Sequence, residues 1–393
     1  MQDSNNIELG LYVHVPFCST TCDFCAFYQE KPSKKGFEEY FLALEKDFHA
    51  HLTDREFSTI FIGGGTPGIL SEEQINKLCV LISSNKIKDD CEWTVEVAPN
   101  EINQKKLDAF LNGGVNRLSL GVQTLDPVFM KELGRKHDVE RAVEAYGEVR
   151  GAGFDNVNID LLFGAPGQSL DHWKDDLRKA VDLAPDHLST YCLTFEEDTA
   201  LFAKLAKGQI KLDPDREALF YEWAWEYLPD QGYNQYEVSN YAKPGFECRH
   251  NLNTWKMNEW IGYGPSASSQ FSQVRRKNFS NIEQWAKPLL LSNEQQYEEY
   301  TKLSRLEIAR DAILFGLRMN QGINLSDISA KFELSMNSFD PVVKFLKLLE
   351  SEGLGVSEKE YYFLTREGRI RCDAIASEIP ELENCEALGI LSG

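Results

Sequence analysis

Along the first two hundred positions the hydrophobic residues keep two alternating rhythms. Short runs at 8–16 (ELGLYVHVP), 58–65, 92–99, 117–123, 156–164 and 187–195 have apolar residues that are continuous or fall at every second place. They are rich in Val, Ile, Leu and aromatics and mostly close on Gly or Pro, so each predicts a strand. Between them, 37–52, 71–84, 104–114, 139–153 and 169–183 carry apolar residues three and four apart, several bounded by Ser, Asp or Gly, and predict helices. Six strand-to-helix units predict an α/β fold of parallel strands with right-handed crossovers, either a doubly wound sheet or a full or partial barrel; a partial barrel is the expectation taken here. Farther on, 212–231 predicts a helix and 235–242 an edge strand, followed by a loop-rich stretch to about Tyr263. After Asn278 the text becomes largely helical. The expected division is a barrel domain at 1–278 and a smaller, mostly helical, winged-helix-like domain at 279–393.

Charge narrows the choice of partner. The chain has 62 Asp and Glu against 41 Lys and Arg, a net charge of −21. That sign opposes a phosphate backbone, which is bound when Lys and Arg displace its counterions, so nucleic acid is not an expected partner. The opening MQDSNNIELG lacks the basic and apolar segments of a secretory signal, and no run of about 18 apolar residues suggests a membrane span. A cytoplasmic protein is expected. In that reducing setting nine cysteines are not a disulfide framework. Six are scattered (Cys79, Cys91, Cys192, Cys248, Cys372, Cys385), whereas Cys18, Cys22 and Cys25 crowd into FCSTTCDFCAF.

Three thiols without a fourth donor nearby suit a cubane [4Fe–4S] cluster, where three irons take protein thiolates and the fourth keeps an open position. Zinc would need one more ligand, and His14 lies within the first strand; three free buried thiols are the bland alternative. Ligands of barrels gather at the C-terminal ends of strands, and polar or glycine-rich text stands there repeatedly. Gly63 to Pro67 (GGGTP) ends the second run, where absent Cβ atoms would let backbone amides approach a ligand, or simply form a tight turn. Glu96, Gln123 and Asp160 stand near the ends of the third, fourth and fifth runs and could hydrogen-bond a ligand there, or be solvated or structural side chains. Arg135 in LGRKH could hold a carboxylate or be an exposed helix-end charge.

Taken together, LYVHVPFC, GGGTP, GGVNRLSLGVQT, LGRKHD, NVNIDLLFGAPGQS, YEVSNYAKPGFECRHN and LTREGRIRCDAI resemble the radical S-adenosylmethionine (SAM) superfamily, in the branch of the oxygen-independent coproporphyrinogen III oxidases and the HemW-type heme chaperones. The resemblance spans nearly the whole chain. It implies an incomplete (β/α)6 barrel with a mostly helical C-terminal domain. It also implies a cluster on Cys18, Cys22 and Cys25, and SAM contacts at Tyr12, Phe24, Gly64, Gly65, Thr66, Glu96, Gln123, Arg135 and Asp160. Phe27 stands where the oxidases carry a further cysteine, and few residues precede Cys18, both of which point to the chaperone-like branch. HNLNTW resembles that branch's heme-linked stretch, with Thr254 in place of a tyrosine; it offers His250 as an axial ligand and Cys248 as a thiolate alternative. Ser268 stands near where many relatives have a histidine. The implied partners are heme or a porphyrin, a reducing donor such as flavodoxin or ferredoxin, client heme proteins of the respiratory chain, and a second copy of the chain as a homodimer. The enzyme alternative is oxidative decarboxylation of coproporphyrinogen III.

Overall fold

Strands β1 (Leu9–Val15), β2 (Phe57–Gly64), β3 (Ile87–Val97), β4 (Arg117–Gln123), β5 (Val157–Phe163) and β6 (His187–Cys192) form where the hydrophobic rhythm predicts them. The structure is a computed structural model describing residues 8–384 except 198, 212 and 293, so MQDSNNI and Cys385 lie outside the described residues. Each of β1 to β5 pairs in parallel with its successor. A doubly wound sheet reverses its strand order at a switch point. Unbroken succession with right-handed crossovers instead puts every connecting helix on one face, and the sheet curls into an open barrel.

Strand alternation sorts the side chains. The outward face carries fully buried Leu11, Val13, Ile60, Ile62, Val95, Leu118, Leu120, Ile159 and Leu161 beneath the helices. The register aligns the opposite face across the strands: Tyr12 beside Phe61, Thr59 beside Glu92, Glu96 beside Ser119, Gly121 beside Asp160, and Asn158 beside His187. The barrel therefore encloses a largely polar lumen.

Three features depart from the sequence reading. The expected strand at 235–242 is a hairpin of β7 (Asn234–Gln235) and β8 (Asn240–Ala242), with β8 antiparallel to β6. It bends because the buried Glu237 carboxylate accepts from the Ser239 amide (2.9 Å) and the Asn240 side chain (2.5 Å). The stretch before Tyr263 contains the helix Arg249–Trp255 and β9 (Glu259–Tyr263), which pairs in parallel with β1. Beyond β9 the sheet continues antiparallel through β10 (Ser268–Phe271), β11 (Val274–Asn278) and β12 (Tyr297–Lys302).

The expected boundary at Asn278 thus falls at the end of a strand within the main sheet. The helix Ile282–Ser292 adds Ile282, Trp285, Ala286 and Leu289 to the barrel's core. VRRKN and YEEYTK carry little apolar alternation, which is why hydrophobic rhythm did not reveal them. A second core gathers Ala309, Ile313, Val342, Leu346 and Leu349 from 305 onward. There the helices Arg305–Gly316, Leu325–Phe332 and Asp340–Ser351 surround a sheet ordered β13 (Ile323–Asn324), β15 (Tyr361–Leu364), β14 (Gly355–Glu358). Helix, strand, two helices and a two-stranded wing is a winged-helix order.

Candidate functional site

The three clustered cysteines sit on the loop leaving β1, at the C-terminal mouth of the barrel. The Cys18 amide donates to Glu30 O (3.0 Å), the Glu30 amide to Pro16 O (2.7 Å), and the Cys25 amide to Cys22 O (3.2 Å). Two other segments brace the loop: the Asp23 amide reaches Leu133 O (3.4 Å), and the Leu201 amide reaches Asp23 O (3.1 Å). Phe24, expected at SAM, lies in a small apolar cluster with Phe129, Leu133, Leu162, Leu193 and Leu201 and anchors the loop to those same segments.

Each thiol has its own polar neighbour. Cys18 Sγ lies 3.3 Å from Thr66 Oγ1, Arg135 Nη1 donates to Cys22 Sγ (3.3 Å), and Gln29 Nε2 donates to Cys25 Sγ (2.7 Å). Burial pushes Cys18 up to about 11 and raises Cys25 as well, and the thiols' mutual repulsion adds to both. Such thiols ionise when a strong positive charge arrives, as metal binding requires. Among the described residues, no group of three His, Cys, Asp or Glu could hold a single metal ion. A cubane asks for something else, one thiolate at each of three irons, and three separately supported thiols fit that demand.

The glycines of GGGTP form a tight turn at the end of β2. The Gly64 amide donates to Glu96 Oε2 (3.2 Å), the Gly65 amide to Val15 O (2.8 Å) and the Thr66 amide to Phe17 O (2.8 Å), so these donors are spent on protein. A Cβ at Gly65 would stand 2.6 Å from Phe17 O, and Gly64 holds φ +105° with the His14 ring 2.6 Å from any added Cβ. These glycines let β2 pack tightly beneath the cysteine loop.

Behind the mouth, Tyr12, Glu96 and Asp160 line a single cavity of about 250 Å³ together with Arg117, Ser119, Asn158 and His250. Glu96 is half-buried in the cavity wall, and desolvation, reinforced by the nearby Asp160 charge, lifts its carboxyl to about 8. Burial also raises Asp160, although it accepts from Ser119 (2.9 Å) and Asn158 (2.7 Å). Two buried acids held above their usual range favour a cation, which suits a sulfonium. Gln123 ends β4 at φ +74°, where the pairing with β5 shifts register, a bulge that re-aims the strand end. Arg135 Nη2 donates to Gly121 O (2.6 Å), tying the cysteine loop's cation to β4.

His250 lies on the helix Arg249–Trp255 at the opposite, N-terminal end of the barrel, only 6% exposed. Its Nδ1 is 3.0 Å from Thr59 Oγ1, its ring centroid is 5.2 Å from that of Phe61, and burial pushes it down to about 3. The cavity it lines, about 250 Å³, is smaller than the roughly 300–1,000 Å³ pockets of drug-sized ligands. Cys248 is buried too, 3.7 Å from Glu92 Oε1. Thr254 donates to Asn251 O (2.8 Å), and Ser268 is exposed on β10.

Sequence reasoning missed the floor. Glu92 accepts from the amides of Arg249 and His250 (3.1 Å each), and Arg117, only 2% exposed, sits close enough to feel that carboxylate. His187 bridges Asn158 (2.6 Å) and Tyr236 (2.7 Å). A signal was present in RLSLGVQ, whose strict alternation places Arg117 and Ser119 on the face opposite Leu118 and Leu120.

Three thiols at the open mouth of a six-stranded parallel barrel, with buried acids behind them, define a radical SAM protein. Residues 12–180 match the radical SAM superfamily and residues 303–371 the HemN C-terminal domain. Over 365 residues, 91% of this chain and 96% of its relative, the sequence is 32% identical to the heme chaperone HemW of Bacillus subtilis; it is 38% identical to HemW of Escherichia coli over 66% and 69% of the two chains. The chain belongs to the HemW heme chaperone family. The coproporphyrinogen III oxidase HemN of Escherichia coli superposes with a TM-score of 0.81 at 26% identity, covering 94% of this chain and 89% of that one. Membership in the radical SAM superfamily implies a [4Fe–4S] cluster and SAM. Among the described residues, no helix is long and apolar enough to cross a membrane.

Proposed function

We propose that this protein binds heme and passes it to apo heme proteins, with a cluster and SAM held at the barrel mouth. The supporting observation is the likeness to a heme chaperone along nearly the full length of both chains. Cys18, Cys22 and Cys25 would hold the cluster. Tyr12, Glu96, Gln123, Asp160 and the turn at Gly64, Gly65 and Thr66 would surround SAM. Bound and reduced, the cluster supplies an electron able to split a sulfonium. Arg135 would orient Cys22 through the hydrogen bond it donates to that sulfur. Glu96 releases a proton as a cation enters the cavity, since a positive charge reverses the burial effect that raises it, and the neighbouring Asp160 adds its negative charge to the same pocket. With His250 shut into the floor, heme is taken up outside the lumen. The protein works in a reducing cytoplasm and draws on ferredoxin or flavodoxin.

The test is anaerobic reconstitution with iron, sulfide and SAM, followed by separate additions of hemin and of coproporphyrinogen III with reductant. A stoichiometric shift of the hemin Soret band, and its transfer to an apo heme protein, is expected. Formation of protoporphyrinogen would instead make the protein an oxidase, the reading that full-length likeness to HemN favours.

A further inference from the structure

The deep end of the barrel holds a charge that the protein itself does not satisfy. Arg117 is 2% exposed and lines the lumen cavity, yet its Nε has no hydrogen-bond partner among the described residues. Glu92 and Asp160 act on its guanidinium through their charge. Glu92 is engaged elsewhere, accepting from the amides of Arg249 and His250. A guanidinium stays ionised and can donate through every nitrogen, so burying one without an acceptor is costly.

The polar neighbours of Arg117 are partnered to one another. Asn158 Nδ2 donates to Ser119 Oγ (2.7 Å) and Asp160 Oδ1 (2.7 Å), Ser119 Oγ donates to Asp160 Oδ2 (2.9 Å), and Ser189 Oγ donates to Asn158 Oδ1 (3.2 Å). That wall is closed on itself; the complement Arg117 calls for is an anion. Register sets the depth. Glu96 lies beside Ser119 and Asp160 beside Gly121, two and four residues along β4 from Arg117. At about 3.3 Å per residue, Arg117 is about 7 Å and 13 Å deeper along the strand. A ligand entering from the mouth therefore passes a negative wall before it meets a positive floor.

The anion that matches a guanidinium fork is a planar carboxylate, held by two parallel hydrogen bonds. Phosphate fits less well, because its second negative charge would face Glu96 and Asp160 along the same wall. His250 and Asn251 line the same end and add hydrogen-bonding groups without adding charge, since burial keeps the imidazole neutral. A cavity of about 250 Å³ limits the guest to a small acid.

We propose that the floor of the lumen is a carboxylate-binding subsite, in which Arg117 holds a small carboxylic acid of amino-acid size beneath SAM. The inference rests on the reading that puts SAM at the mouth end of the same cavity.

The experiment uses reconstituted full-length protein saturated with SAM. Acetate, L-alanine and L-methionine are titrated at constant ionic strength by calorimetry and by urea unfolding, with L-alaninol, which lacks the carboxylate, as the control. Wild type is expected to bind at least one of the acids and to unfold at higher urea in its presence, and L-alaninol to do neither. Arg117→Met is expected to unfold at higher urea than wild type when no acid is present, since an apolar side chain replaces an unpaired buried charge, and to lose the response to the acids. Arg117→Lys keeps the charge without the fork and is expected to bind the acids about 10-fold more weakly. A wild type indifferent to all three acids would overturn the proposal, as would acid binding that persists in both variants. An Arg117→Met protein that unfolds at lower urea would make Arg117 a structural cation and overturn it too. Acids that bind without SAM and are displaced by SAM would give Arg117 to the cofactor's own carboxylate, and the separate subsite would fall. If wild type binds no SAM in the same calorimeter, the cofactor reading has failed, which is a different result from any of these.

Discussion

The two ends of the barrel are built by opposite rules. At the mouth, the cysteine loop is held by a handful of backbone bonds and one aromatic anchor, and its thiols keep single, replaceable partners. At the floor, Glu92, His250, Thr59, His187, Asn158 and Tyr236 are linked by hydrogen bonds out of reach of solvent, around a cation with nowhere else to go. The contrast teaches how differently one barrel can treat its donors: the His250 ring is packed against Thr59 and Phe61 at the floor, whereas the three thiols stand on a loop at the mouth.

The sharpest way to break this comparison is to remove the thiols. Cys18→Ala, Cys22→Ala or Cys25→Ala should abolish the brown chromophore and its iron, while Cys372→Ala in the second core keeps both; equal iron in the two groups would refute the ligand assignment. At the floor, Glu92→Ala leaves the amides of Arg249 and His250 without their acceptor and should destabilise the apoprotein in denaturant unfolding by about 1–3 kcal/mol for each orphaned donor. The cluster should still assemble in any protein that folds, and Glu92→Gln offers a milder version.

Glu96 couples the lumen to pH. Its folded carboxyl titrates near 8 against an ordinary 4.5, so the folded state keeps a proton that the unfolded chain gives up. The stability this contributes is fully present below about 4.5 and is lost as pH rises through 8. Glu96→Gln should remove up to ~1.4 kcal/mol per pH unit of that decline, seen in urea titrations across the window. SAM binding to wild type, but not to the variant, should release a proton, measured by calorimetry in buffers of different ionisation enthalpy. The smallest effect belongs to His250→Ala. It should cost about 1–3 kcal/mol through the orphaned Thr59 hydroxyl, with the hemin Soret band unchanged. Loss of that band with stability intact would return His250 to the heme.

Much of the barrel was legible because its outward face follows the simplest rule, apolar residues at every second place, from Leu11 and Val13 to Ile159 and Leu161. The cysteine loop was legible because three thiols in eight residues have few structural uses. What stayed hidden depends on partners distant in sequence. β11 and β12 are polar strands recruited by pairing, and the helix holding His250 is placed by Glu92, about 158 residues away. The GGGTP turn was legible as a turn, but the acceptors of its amides, Val15 O and Phe17 O, were not, because no spacing within the motif reveals what lies across the gap.

The stoppered floor also faces whatever the lumen admits. A group seated against it would meet protein, Arg117 and His250, on its deep side and the half-buried acids Glu96 and Asp160 along the wall, so its orientation would be dictated from below.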